Sequence, residues 1–183
     1  MTTLVFDTAT SFGAVCGLAS GERAQAARAG DLLAAVNELV EDPASIERIV
    51  VGRGPGSFTS IRIGLAMARS LSLALGVPVA GASTLDGYSG AVPVLDARRG
   101  EVFTRGPEVR SPEELDVAGQ MLLGDGAIRY RALFEAAGAS IPPDDDPRHL
   151  PDPLLLVEHA GTFGEAGLVE PLYVREPDAR PSA

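Results

Sequence analysis

The sequence predicts an α/β fold, and three observations carry that expectation. Short apolar runs alternate with amphipathic helical stretches in the order β-β-β-α-β-α-β over the first 80 residues. A glycine- and proline-rich segment, Val51-Gly52-Arg53-Gly54-Pro55-Gly56-Ser57-Phe58-Thr59, joins an apolar strand to a long helix. A strand–Asp–turn–strand pattern occurs around Phe6-Asp7-Thr8 and again around Asp96-Ala97-Arg98-Arg99-Gly100, which predicts two related halves. The expected division is residues 1–82, a smaller unit over 83–174, and a charged, proline-rich tail, 175–183, expected to be disordered.

Residues 3–7 and 14–20 read as an antiparallel hairpin turning at Thr10, Ser11 and Gly13, with a third strand over 25–29. Asp31 is placed to cap a helix with apolar residues Leu32, Leu33, Val36, Leu39 and Val40. A strand over 46–51 leads through the glycine-rich segment into a helix over 59–75, stopped by Gly76 and Pro78, and a strand over 77–80 follows. Beyond residue 83, strands are predicted over 91–96, 101–104 and 121–123, and helices start at Ser111-Pro112, over 127–137 and over 154–160. The helix over 59–75 has two apolar stripes, Ile61, Gly64, Leu65, Ala68, Leu71 and Leu75 on one and Ile63, Met67, Ser70 and Ala74 on the other. A helix apolar on two sides needs either full enclosure or a second layer, such as another subunit.

Composition narrows the function. The 183 residues contain no lysine, so P-loop, Schiff-base and lysine general-base chemistry are excluded. A net charge of −10 argues against tight binding of RNA or DNA by this chain itself. The lone Cys16 lies in an apolar run and reads as a buried residue, fitting a reducing cytoplasm; no basic leader precedes the first strand and no apolar run approaches a membrane span. His149 and His159 are the only histidines, too few for a metal cluster or triad, and are expected at the surface or at helix ends. The glycine-rich segment is either a tight turn with Ser57 or Thr59 as N-cap, or an anion site in which the free N–H groups of a helix N-terminus are joined by Arg53 and Arg62.

Several segments together resemble the TsaB (YeaZ) family, a component of bacterial threonylcarbamoyladenosine tRNA modification. They are Phe6-Asp7-Thr8-Ala9-Thr10, the stretch from Val51 to Gly64, Ala82-Ser83-Thr84-Leu85, Asp96 to Phe103, and the closing Pro171-Leu172-Tyr173-Val174-Arg175. The resemblance implies the α/β fold of the actin, sugar-kinase and heat-shock ATPase superfamily (ribonuclease H-like), with two βββαβα-type lobes, the second trimmed here. It implies a non-catalytic subunit that pairs with a TsaD-like subunit, which transfers the threonylcarbamoyl group to adenosine beside the anticodon, and that joins a TsaE-like ATPase. The implied interface uses the first two helices, with Leu32, Leu33, Val36, Phe58, Ile61, Arg62, Leu65 and Ala68, and the same face pairs the subunit with itself when alone. Contact with tRNA would be indirect.

Departures from the family pattern are a missing histidine–serine pair after Asp31, a helix after Leu85 cut to about one turn, and little room for a hairpin after Phe103. Candidate nucleotide or anion contacts are Asp7, Thr8, Arg53, Gly54, Gly56 and Ser57. Asp7 either holds Mg-phosphate, as in the superfamily, or stabilises its own turn. No cofactor is expected on the subunit alone, with ATP or ADP and Mg reserved for a subunit junction. The alternative is an active small-molecule phosphotransferase of the same superfamily. A glycoprotease lacks a plausible set of His, Cys or Lys residues, and Ser57 and Thr59 have no base nearby in sequence.

Overall fold

The computed structural model describes residues 1–175, so all of the expected tail but Arg175 lies outside the described residues. Five strands, β1 (Thr2–Asp7), β2 (Ala14–Leu18), β3 (Arg23–Ala26), β4 (Ile46–Gly52) and β5 (Val79–Ala82), form a sheet in the order β3-β2-β1-β4-β5. The first three run antiparallel as a meander, and β4 and β5 lie parallel to β1. Strand alternation sends Leu4, Phe6, Ile49 and Val51 to the face covered by helices α1 (Leu32–Leu39) and α2 (Phe58–Leu75). Val5, Val50 and Ala82 point the other way, onto Leu156 of a late helix. Burial on both faces explains why β1 and β4 are continuous apolar runs rather than alternating ones.

Helix α2 begins at Phe58, where Ser57 caps it by accepting the Ser60 N–H, and ends at Gly76 in the left-handed conformation, φ 69°. Its buried face is the single stripe Ile61, Gly64, Leu65 and Ala68. Of the second stripe, Ile63, Ser70 and Ala74 are exposed and Met67 is half-buried against the core, and Leu73, outside both stripes, is 88% exposed. By length and composition alone α2 would pass as a membrane span, yet its inner stripe is seated on the sheet. Asp31 precedes α1 but does not cap it, because its carboxylate pairs with Arg28 at 3.0 Å.

The remaining strands repeat the first topology. β6 (Val92–Pro93) and β7 (Leu95–Arg98) form one run broken at Val94; β6 pairs in parallel with β10 (Leu122–Leu123), and β7 pairs antiparallel with β8 (Glu101–Thr104). β9 (Glu108–Arg110) pairs with β8, so the order β9-β8-β7/β6-β10 mirrors β3-β2-β1-β4. β9 answers the expectation of little room for a hairpin after Phe103: the turn at Arg105-Gly106-Pro107 is tight enough for one, with Gly106 at φ 121°. Where the first sheet has β5, this one has only the parallel bridge between Met121 and Ser140. Ile141 is followed by Pro142 and Pro143, which lack the N–H groups needed to extend a strand.

The helix expected over 127–137 is two short ones, α3 (Asp125–Arg129) and α4 (Arg131–Ala136), separated at Tyr130. The helix expected at Ser111 is a single 3-10 turn, Pro112–Glu114, as the chain extends to bury Val117 against Val94, Val102 and Phe134. Helix α5 (Pro153–Glu158) returns to the first sheet, and Gly164 bridges to Val79 on its edge. A boundary at 82/83 therefore does not divide the packing, because the later part of 83–174 covers the back of the first sheet.

His149 is buried, not at the surface. Its Nδ1 accepts the Gly124 N–H at 3.1 Å and its Nε2 lies 3.3 Å from the Pro142 carbonyl, to which it donates. His159 does sit at a helix end, where its ring meets the Leu155 carbonyl. Replacing His149 with alanine strands the Gly124 N–H in the core, and urea unfolding is expected to show a loss of about 1–3 kcal/mol. The same change at exposed His159 is expected to stay within about 0.5 kcal/mol of the parent.

Candidate functional site

Asp7 ends β1 and is 1% exposed. Its Oδ1 accepts the Ala9 N–H at 2.6 Å and its Oδ2 accepts the Thr84 hydroxyl at 2.6 Å. Gly52, the last residue of β4, makes room for this carboxylate, since a Cβ there would lie 1.8 Å from Oδ2. Burial pushes the Asp7 pKa above the usual carboxylate range, opposed by the Thr84 and Ala9 hydrogen bonds.

The glycine-rich loop closes over the same turn. The Ser57 N–H donates to the Ala9 carbonyl at 2.8 Å, and Gly56 lies so close that a Cβ would meet that carbonyl oxygen at 2.3 Å. The Arg53 N–H donates to Ala82, and the Gly54 carbonyl accepts from the Thr84 N–H. The Thr8 hydroxyl donates to the Ser60 carbonyl at 2.6 Å, inside the first turn of α2. Both Asp7 oxygens are thus engaged by the protein's own donors, and the carboxylate is enclosed. Asp7 and its loop do not fit Mg-nucleotide.

Asp96 repeats the arrangement in the second hairpin. Its Oδ1 accepts the Arg98 N–H two residues on, as Asp7 accepts that of Ala9, while its Oδ2 pairs with Arg98 at 3.1 Å and Arg129 at 3.4 Å. Asp125, at the start of α3, joins the two hairpins: Oδ1 accepts the Asp96 N–H, and Oδ2 accepts both the backbone N–H and the hydroxyl of Ser11. Nothing local in the sequence marks Asp125, because its partner Ser11 is 114 residues away.

Between these hairpins lies a cavity of about 530 Å³, with Ser57, Phe58 and Arg62 on one wall, Asp96, Arg98 and Arg99 on another, and residues 172–175 across it. Of the six candidate anion contacts, Gly56 and Ser57 line this cavity. Asp7, Thr8 and Gly54 are sealed away from it, and the Arg53 side chain lies against Gly81. Among the described residues no group of three or more His, Cys, Asp or Glu is placed to hold a metal ion. Cys16 is buried, and burial pushes its thiol up to about 11.

The expected interface residues separate sharply. Leu32, Val36, Ile61, Leu65 and Ala68 are core residues, exposed by 4% or less, and cannot meet a partner. Leu33, Phe58 and Arg62 are exposed. Along α2 the outward face continues with Ile63, Ala66, Ser70, Leu73 and Ala74, a strip in which exposed Arg69 is the one charge. The 3-10 turn Ala29–Asp31, which leads into α1, packs on α2, so the two helices are neighbours on this side.

A folded-state pKa above the unfolded value near about 3.9 means that protonation of Asp7 favours the fold. That contribution is complete below the unfolded pKa and is lost as pH rises through the folded one. An Asp7→Asn variant, which keeps an acceptor for Ala9 and stays neutral, is therefore expected to gain in Tm over the parent as pH rises from 4 to 7. Thr84→Val, which removes the hydroxyl from the buried carboxylate, is expected to lose about 1–3 kcal/mol at pH 7.

Comparison with known proteins agrees with this architecture. A family model described as TsaD, tRNA N6-adenosine threonylcarbamoyltransferase, matches residues 22–124. An uncharacterized protein of Mycobacterium tuberculosis is 36% identical over 167 residues, covering 84% of this chain and 75% of the relative. The tRNA threonylcarbamoyladenosine biosynthesis protein TsaB of Bacillus subtilis is 38% identical over 82 residues, 38% of this chain and 36% of that protein. A crystal structure from Pseudomonas aeruginosa, titled as similar to peptidase YEAZ, superposes with a TM-score of 0.74 at 25% identity, covering 95% of this chain and 99% of that one. With the mixed five-stranded sheet, the repeated Asp hairpins and the Gly-Pro-Gly junction, these matches give the α/β fold of the actin, sugar-kinase and heat-shock ATPase type, and the chain belongs to the TsaB/YeaZ family.

Proposed function

We propose that this protein takes part in tRNA threonylcarbamoyladenosine biosynthesis as a non-catalytic scaffold or activator that pairs with a TsaD-type subunit. The observation that carries the reading is the outer strip of α2 from Ile63 to Ala74, in which Ile63 and Leu73 are exposed and Arg69 is the one charge, together with exposed Leu33 of α1. Large apolar side chains exposed along one face of a helix on an otherwise acidic molecule fit a protein–protein surface better than a solvated helix. In the absence of the partner the same strip serves self-association, and a TsaE-like ATPase is a further member of the assembly. The acidic chain leaves tRNA to its partner. Its place of work is the cytoplasm, with the tRNA.

The proposed architecture is two-lobed. Residues 1–82 with the returning segment around α5 form one lobe, and the β6–β10 strands with α3 and α4 form the second, which is trimmed at its fifth strand. The repeated strand order and the repeated Asp–turn geometry support it. The sealed Asp7 pocket speaks against the phosphotransferase alternative and for a subunit that holds no nucleotide alone. ATP or ADP with Mg at a subunit junction would have to be met by residues other than Asp7, Thr8 and Gly54.

Leu73→Asp changes a side chain that supports no packing in the free chain, so the variant is expected to fold as the parent does. Its affinity for the TsaD-type protein of the same genome is expected to fall at least about tenfold, equal to about 1.4 kcal/mol. Threonylcarbamoyl transfer in a reconstituted system is expected to fall with it. Full transfer without this chain would overturn the scaffold reading. Mg-dependent ATP turnover by the free chain, abolished in Asp7→Asn, would put the phosphotransferase in its place.

A further inference from the structure

The segment that follows the last 3-10 turn, Ala166–Leu168, crosses from one hairpin system to the other. The Leu172 N–H donates to the Arg53 carbonyl at 2.7 Å, fixing the segment to the glycine-rich loop. The Tyr173 ring stacks on Phe58, with centroids 5.0 Å apart and planes at 29°, at the first residue of α2. Val174 packs with the cluster of Leu85, Tyr88, Leu95 and Phe103 on the second sheet. The Arg175 guanidinium donates to the Ala97 carbonyl at 3.0 Å and pairs with Glu101 on β8. Four consecutive residues thus bind both sides of the 530 Å³ cavity and form part of its lining.

Arg62 is held by the same segment. Its guanidinium carbon lies 3.8 Å from the centroid of the Phe58 ring, and its Nε donates to the Tyr173 hydroxyl at 3.1 Å. Its flat face and its Nε are therefore engaged, and among the described residues its Nη groups make no hydrogen bond. An arginine fixed by stacking and by one hydrogen bond has already lost much of its side-chain freedom, so a planar anion gains a two-pronged partner at reduced entropic expense.

We propose that residues 172–175 are a latch that ties the β7–β8 hairpin to the start of α2 across the cavity, and that Tyr173 is the positioning residue that presents Arg62 to a carboxylate of the partner subunit. The latch rests only on the free chain. The role of Arg62 rests on the proposed pairing with a TsaD-type subunit. Tyr173 is partly exposed, so its loss opens the latch without emptying a core position.

Hydrogen exchange on the full chain tests the latch. In Tyr173→Ala the amides of residues 97–103 and 53–61 are expected to exchange at least about tenfold faster, while those of β1 and β4 keep their rates, the pattern of local rather than global opening. Exchange in both segments within twofold of the parent overturns the latch. Affinity for the TsaD-type subunit tests the positioning. Tyr173→Phe keeps the ring stack and removes the hydroxyl, and is expected to weaken binding about five- to tenfold, while adding no further loss in an Arg62→Ala background. Equal binding by parent and Tyr173→Phe, or additive losses in the double variant, overturns the positioning role. If the parent itself fails to bind the TsaD-type subunit, the pairing and the role of Arg62 fall together, and the exchange measurement still decides the latch.

Discussion

The buried carboxylate of Asp7 sets the conditions for everything around it. A carboxylate removed from water must be met by donors, and here one oxygen takes the Ala9 N–H of its own turn and the other the Thr84 hydroxyl from beyond β5. Those two bonds draw the first hairpin turn and the Ser83–Leu85 segment onto the end of β4. Gly52 is demanded there because any side chain would collide with the carboxylate. The glycine-rich loop then closes on the Ala9 carbonyl, and α2 starts where Thr8 can donate into its first turn. The direction in which α2 leaves the sheet, and so which of its faces looks outward, follows from this junction.

The second half uses the same device for a different end. Asp96 turns its hairpin as Asp7 does, but its other oxygen is met by two arginines at the rim of the cavity rather than by a buried hydroxyl. Asp125 stands where the second strand-to-helix junction begins and reaches across to Ser11. The two junctions face each other over the cavity, joined at the back by Asp125 and at the front by the segment from Leu172 to Arg175. At the first hairpin the carboxylate is enclosed by the protein's own chain. What remains open is a surface rimmed with arginines on a chain of net charge −10.

That contrast bears on the function. A solvated helix on an acidic protein would carry charge along its outer face. Between Arg62 and Arg69, α2 shows Ile63 and Ala66 to solvent, and beyond Arg69 it shows Ser70, Leu73 and Ala74. Arg62 stands at the start of this largely apolar strip and Arg69 within it, an arrangement suited to a partner that buries the strip and answers both charges.

Local chemistry made much of this legible in the sequence. The β-β-β-α-β-α-β order, the stop of α2 at Gly76-Val77-Pro78 and the turn at Asp96-Ala97-Arg98-Arg99 depend on neighbours in the chain, so periodicity and turn residues reveal them. The two-stripe pattern of α2 left open whether the helix is enclosed or meets a second layer, and which stripe meets the sheet. That choice depends on Thr8 and the glycine-rich loop, and it put Ile61, Leu65 and Ala68 inside and Ile63 and Leu73 outside. β9 was hidden because three residues with charges at both ends carry little strand signal, and pairing with β8 alone decides them. In the sequence His149 reads as a surface or helix-end residue, Asp125 is unmarked, and Tyr173 stands out only through the family resemblance. Their roles come from partners at Gly124, Ser11 and Arg62, separated by 25, 114 and 111 positions. A hydrogen bond between residues so far apart leaves no periodic trace in a sequence, and only the folded chain brings donor and acceptor within reach.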